Sequence, residues 1–187
     1  YSSGQFLSKN YSQAFTFFEA AAKLGNSDAQ FALGGLYYSG KGIPQDYVKA
    51  FEWTKKSAEQ GNKSAQYMLG LMYYKGIGIK QDYSKALKWF SKAAEQGDKT
   101  AQNDLGLMYY KGNGVNQDYS KAFEWYTKSA NQGYNYAQYN LGMMYYEGKG
   151  VKKDYSKAKE WFKKAKENGY RELIVDGIPL ARYQGDV

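Results

Sequence analysis

Apolar positions along the chain recur with the spacing of a helix, and the helical stretches recur with a longer period of their own. Ala65, Leu69, Met72 and Tyr73 fall at i, i+4, i+7 and i+8, the stripe of one helical face. A second stripe, Tyr83, Ala86, Leu87, Phe90, Ala93 and Ala94, follows after an interval that carries Gly76 and Gly78. The pattern predicts a helix A over about 62–75 and a connection in which the two glycines stop the helix and permit positive φ. A helix B then starts at an Asp82 N-cap and stops at Gly97.

The whole unit repeats every 36 residues. Ala29, Ala65, Ala101 and Ala137 are in phase, as are Leu33, Leu69, Leu105 and Leu141 with the glycine after each. So are Asp46, Asp82, Asp118 and Asp154, then Trp53, Trp89, Trp125 and Trp161, and Gly61, Gly97, Gly133 and Gly169. The division is 1–25 (a partial unit holding helix B of a preceding repeat), repeats at 26–61, 62–97, 98–133 and 134–169, and a tail at 170–187. Asn26, Asn62 and Asp98 supply N-caps for helix A; the fourth unit has Tyr134 there, and Asn135 is expected to take over. Alanine at the contact positions lets neighbouring helices approach closely. A pair this short cannot bury its apolar face alone, so stacked neighbours supply the core.

Composition changes the picture in two ways. A mean hydropathy of −0.77 and a net charge of +8 would on their own suit a disordered chain. Aromatic residues make up 18% of the sequence, with 21 tyrosines, and these bury large areas while keeping a polar handle, so the chain is expected to fold. There is no cysteine and no histidine, which removes disulfides, thiolate metal sites and the commonest general base. No run is apolar enough to span a bilayer.

The motif A-x-x-x-L-G-x-x-Y-x-x-G-x-G, followed by D-Y-x-K-A-x-x-W and a closing A-x-x-G, resembles the Sel1-like repeat, a relative of the tetratricopeptide repeat, over 26–169. The resemblance implies an all-α fold, a right-handed superhelical solenoid of antiparallel helix pairs. It implies a non-enzymatic adaptor or scaffold that binds a protein or peptide, without a cofactor, in secreted, periplasmic or envelope-associated settings. One subset of that family is rich in cysteine; this chain has none and is not expected to resemble it. By analogy with tetratricopeptide repeats, the concave groove is formed by inward slots of helix A. These are Phe31, Tyr67, Asn103 and Tyr139, then Leu71, Leu107 and Met143, then Tyr38, Tyr74, Tyr110 and Tyr146, flanked by Lys75, Lys111 and Glu147.

The two ends of the array read differently. One helix B slot runs Phe15, Phe51, Leu87, Phe123 and then Lys159; another runs Ala22, Ala58, Ala94, Ala130 and then Lys166. They lie seven apart, on one face, and both become lysine in the last repeat, as a solvent-facing end requires. At the front Tyr11, Ala14, Phe15 and Phe18 stay apolar with no helix A to cover them, so the pattern anticipates more repeat sequence before residue 1. In the tail, Leu173, Ile174, Val175 and Ile178 form an apolar cluster before Pro179, expected either to close over the last pair as a short helix or to lie extended. An extended tail in a neighbour's groove would give weak self-association.

Catalytic motifs fail on inspection. Gly35 to Lys41 spells G-x-x-x-x-G-K, but Gly42 stands where a phosphate loop needs Ser or Thr, and the segment follows a helix rather than a strand. Ser156-Lys157-Ala158-Lys159 matches S-x-x-K without the companion motifs. The carboxylates repeat with the array, leaving no unique acid–base pair. Asn10-Tyr11-Ser12 and Asn62-Lys63-Ser64 match the glycosylation sequon, the second doubling as a cap. Lys49, Lys85, Lys121 and Lys157, each seven before Lys56, Lys92, Lys128 and Lys164, make a basic ridge on helix B. A solvated surface is the reading preferred for it. Binding of a polyanion, nucleic acid or an anionic membrane surface, is the alternative.

Overall fold

The structure, a computed structural model, describes residues 2–171, 174–175 and 178–179, with side chains over 11–171. Among these residues the chain forms nine α-helices and one two-residue-per-strand hairpin. It divides into two compact units, residues 1–96 and 97–187. The first holds α1 (Ser2–Lys23), α2 (Ser27–Ser39), α3 (Tyr47–Glu59), α4 (Lys63–Lys75) and α5 (Tyr83–Glu95). The second holds α6 (Lys99–Lys111), α7 (Tyr119–Asn131), α8 (Asn135–Glu147), α9 (Tyr155–Glu167), β1 (Ile174–Val175) and β2 (Ile178–Pro179). Within each unit every helix packs on its sequence neighbour, the even-numbered helices being A and the odd-numbered B.

The boundaries follow from the cap chemistry. The side chains of Asn26, Asn62 and Asp98 accept from Ala29, Ala65 and Ala101 N–H at 2.8, 2.9 and 2.8 Å. Asp46, Asp82, Asp118 and Asp154 do the same for the B helices. Gly40, Gly76, Gly112 and Gly148 end the A helices in the left-handed conformation. Tyr134 makes no side-chain cap; Asn135 accepts instead from Tyr136 N–H at 2.8 Å, inside the first turn. α1 runs on past the start of its helix B slots. Phe6 and Ser8 stand where later repeats have a loop glycine and, in the first, a proline, so nothing breaks the helix there.

The core of each pair centres on Leu33, Leu69, Leu105 and Leu141, all buried. The glycine after each lets helix B lie directly against helix A. A Cβ on Gly70 would sit 2.6 Å from the Phe90 ring, on Gly106 2.8 Å from Tyr126, and on Gly142 2.6 Å from Phe162. In the first repeat that partner is the smaller Thr54.

A second bonding system, invisible in the apolar pattern, is built from buried glutamines. Gln30 donates to Ala22 C=O at 3.2 Å and accepts from Gln60 at 2.7 Å. One amide therefore ties α1, α2 and α3 together. Gln66 repeats the arrangement with Ala58 at 3.3 Å and Gln96 at 2.7 Å, and Gln138 with Ala130 at 3.2 Å and Asn168 at 3.0 Å.

The tail contains no described helix. Val175 pairs with Ile178 and Ile174 with Pro179 in antiparallel register, and β2 approaches α9. The intervening sequence is Asp176-Gly177, a pair suited to two-residue hairpins, so of the two expected forms the described residues take the extended one. Leu173 lies outside the described residues.

Candidate functional site

The anticipated groove residues fall in both units. In the first unit Phe31, Tyr38, Tyr67, Leu71 and Tyr74 are half-buried and Lys75 is exposed. Tyr67 and Tyr74 lean on Phe90 with ring centroids 5.7 and 6.3 Å away, and Tyr38 meets Tyr47 at 5.3 Å. Gly35 occupies the slot of Leu71 and is exposed in mid-helix, with nothing within 4 Å of a Cβ placed on it.

In the second unit six of the anticipated residues come together. Leu107, Tyr110 and Lys111 of α6 and Tyr139, Met143 and Glu147 of α8 line a cleft of about 180 Å³, joined by Asn140 and the buried Tyr126. Tyr146 lies half-buried beside Tyr155, its ring 5.2 Å away, and is not among the lining residues. Asn103 is 7% exposed, and its amide is spent inside the protein. It donates to Asp104 at 3.1 Å and accepts from Asn140 at 2.9 Å. It acts as a strut between α6 and α8 rather than as a surface for a ligand.

One rim of the cleft is a closed polar network. The Tyr110 hydroxyl donates to Glu147 at 2.9 Å and accepts from Lys149 at 2.9 Å, and Lys149 pairs with Glu147 at 2.9 Å. Burial pushes the Tyr110 phenol above its ordinary pKa, with Glu147 adding to the push and Lys149 opposing it. The bonds to Tyr110 and then to Glu147 hold the Lys149 ammonium well above the usual lysine value. Burial likewise drives up the Tyr126 phenol. The Glu147 side chain is only 13% exposed and its charge is matched within the protein. Lys111, on the same cleft, is exposed, and among the described residues no carboxylate lies within ion-pairing distance of it. Lys149 was outside the sequence-based selection; its slot reads Lys41, Ile77, Asn113 and Lys149 along the repeats, a variability that marked it in principle.

The basic ridge is engaged locally. Lys56, Lys92, Lys128 and Lys164 lie over Trp53, Trp89, Trp125 and Trp161 at 4.2, 4.8, 4.0 and 4.2 Å. Lys49, Lys85, Lys121 and Lys157 pair with the N-cap aspartates at 3.5, 3.2, 3.6 and 3.9 Å and lie over a tyrosine of the same repeat. Each such surface pair contributes little stability, yet together they give the repeated lysines a structural use. Gly40 ends α2 as a left-handed cap, so the phosphate-loop look-alike is a helix terminus. Asn62 gives its amide nitrogen to Asp28 at 2.8 Å, which leaves that sequon committed to packing. Among the described residues no group of three or more carboxylates, histidines or cysteines is placed to hold a metal, and no helix is long and apolar enough to cross a membrane.

Successive A and B helices with one recurring core define a helix-pair repeat protein. The chain belongs to the Sel1 repeat family, whose family model matches residues 1–26, 27–62, 63–98, 99–134 and 135–170. It is similar to a protective antigen of uropathogenic Escherichia coli displaying an SLR fold, at 41% identity and a TM-score of 0.81, covering 83% of this chain and 33% of that one. It is similar also to a Sel1 repeat protein from Oxalobacter formigenes, at 37% identity and a TM-score of 0.82, over 84% of this chain and 65% of that one. The chain thus spans a third of the first and just under two thirds of the second. A third likeness, to Helicobacter pylori cysteine rich protein B, has 28% identity and a TM-score of 0.54 over 68% and 91% of the two chains. The helix-pair fold is therefore shared with a cysteine-rich protein, although this chain has no cysteine. Comparison with curated protein sequences finds no match.

Proposed function

We propose that the chain is a non-enzymatic adaptor that holds a protein or peptide partner against its A helices, with the α6–α8 cleft as the docking site. One observation carries the reading. Tyr139 and Met143, in slots that read Asn103 and Leu107 one repeat earlier, stay partly open at the cleft, while the recurring Ala101, Leu105, Ala137 and Leu141 beside them are buried in the core. Open Tyr and Met side chains beside a cation are the composition of a protein-contact surface. The likeness to the E. coli antigen supports a secreted, periplasmic or envelope-associated location as part of this proposal, which cell fractionation checks.

Affinity capture with the wild-type chain beside Tyr139→Ala/Met143→Lys tests the site. A partner retained by the wild type and lost by the variant supports it; equal retention by both overturns it. The polyanion reading makes the opposite demand. Binding would persist in the variant, collapse steeply with added salt and be competed by a single-stranded oligonucleotide.

A further inference from the structure

The cleft has two charged lining residues, Glu147 and Lys111, and only Glu147 has its charge compensated among the described residues. On the Glu147 side the carboxylate already holds Lys149 and the Tyr110 hydroxyl, each at 2.9 Å, so it has little capacity left for an incoming cation. A basic ligand group placed there would have to displace Lys149 from a network whose three members satisfy one another. On the other side Lys111 projects from the last turn of α6 with no carboxylate paired to it among the described residues. Asp104, the carboxylate bonded to Asn103, already accepts that amide at 3.1 Å. Between the rims lie Leu107, Tyr139 and Met143, an apolar floor in a space of about 180 Å³, room for one large side chain. The surrounding chain carries a net charge of +8, which favours approach of a negative partner.

We infer that the occupant of the cleft is an acidic peptide segment that inserts one large apolar side chain between Leu107, Tyr139 and Met143 and sets a carboxylate against the Lys111 ammonium. This rests on the adaptor reading above and adds to it the chemistry of the partner. The apolar anchor supplies burial, and the Lys111 contact supplies register and a charge preference. Lys149 stands behind the lining residues Tyr110 and Glu147, to which it is bonded, and takes no part in the contact.

Selection of random twelve-residue peptides on a display library against the full chain provides the test, followed by titration of a fluorescein-labelled selected peptide. The expected consensus has Asp or Glu within a few positions of Leu, Phe or Met. Lys111→Glu, at an exposed position, is expected to weaken the labelled peptide about tenfold or more with an unchanged melting curve. Exchanging the peptide's acidic residue for lysine is expected to restore binding to that variant. A neutral or basic consensus, or a peptide indifferent to Lys111→Glu yet lost with Met143→Lys, overturns the acidic assignment and leaves the adaptor reading standing. Peptides insensitive to both substitutions, or no peptide selected at all, overturn both.

Discussion

At the scale of single residues, glycine plays two opposite parts in the A helices. Gly106 is required: a methyl there would press on the Tyr126 ring at 2.8 Å, and Tyr126 is itself buried and unable to move aside. Gly106→Ala is expected to cost about 1–3 kcal/mol as overpacking, seen as a lower denaturation midpoint. Gly35 sits in the middle of α2 with open space around it, so Gly35→Ala is expected to stabilise by about 0.5–1 kcal/mol through helix propensity alone. Equal responses of the two variants would refute the packing argument. The aspartate caps make a pH prediction. The backbone N–H of Lys85 holds the Asp82 carboxyl below its ordinary value of 3.8. A lowered carboxyl pKa stabilises the folded form fully above the unfolded value, and the gain is lost as pH falls through the folded one. Asp82→Ala is therefore expected to lower the denaturation midpoint at neutral pH, with the gap to wild type closing in acid as pH falls through the lowered folded-state value. Paired urea titrations at neutral and acid pH measure it.

At the scale of elements, the alternation of A and B helices was legible because each boundary has a chemical marker: Asn or Asp at the N-cap, glycine past the C-cap, and the apolar stripe between. α1 escaped this reading: Gly4 stands in the slot of the Gly40 cap, yet the slots of Gly42 and Pro44 hold Phe6 and Ser8, and the helix runs on from Ser2 to Lys23. Asp176-Gly177 suits a two-residue turn between the Ile174–Val175 and Ile178–Pro179 strands, a local signal that the apolar character of the tail does not carry. The cleft was legible in its side chains but not in its roles. Asn103 fell in an inward slot, yet Asn140 across the α6–α8 contact turned it into a strut, and no single-repeat pattern shows such a partner. The glutamine ladder was hidden for a related reason: a polar residue in an apolar stripe reads as surface until its partners on two other helices are known. Gln66→Ala removes one bond each from Ala58 C=O and the Gln96 amide, which keep their bonds to Gly61, an expected loss of about 1 kcal/mol. In a double-mutant cycle with Gln96→Ala the two losses are expected to be clearly non-additive; additive losses would show that the ladder is incidental to stability.

At the scale of the whole molecule, the open question for any stack of apolar helix pairs is what stops it from continuing onto another molecule. In the first unit Phe51 and Ala58 are buried, and α3 uses them in packing. The same two slots on α9 hold Lys159 and Lys166, and both are exposed. Their charge makes that face a poor template for a further helix pair, because covering either ammonium without a carboxylate costs more than apolar contact returns. Lys159→Leu/Lys166→Ala restores the character of an internal repeat and leaves the buried side of α9, with Ala158, Phe162 and Ala165, untouched. The variant is expected to fold as the wild type does and to gain mass with concentration in multi-angle light scattering. Lys152→Leu/Lys163→Ala removes the same two charges from exposed positions outside those slots, and it is expected to scatter as the wild type does. Association in both variants would trace the effect to lost net charge. Association in neither would mean that the two lysines are not what keeps this face open to water.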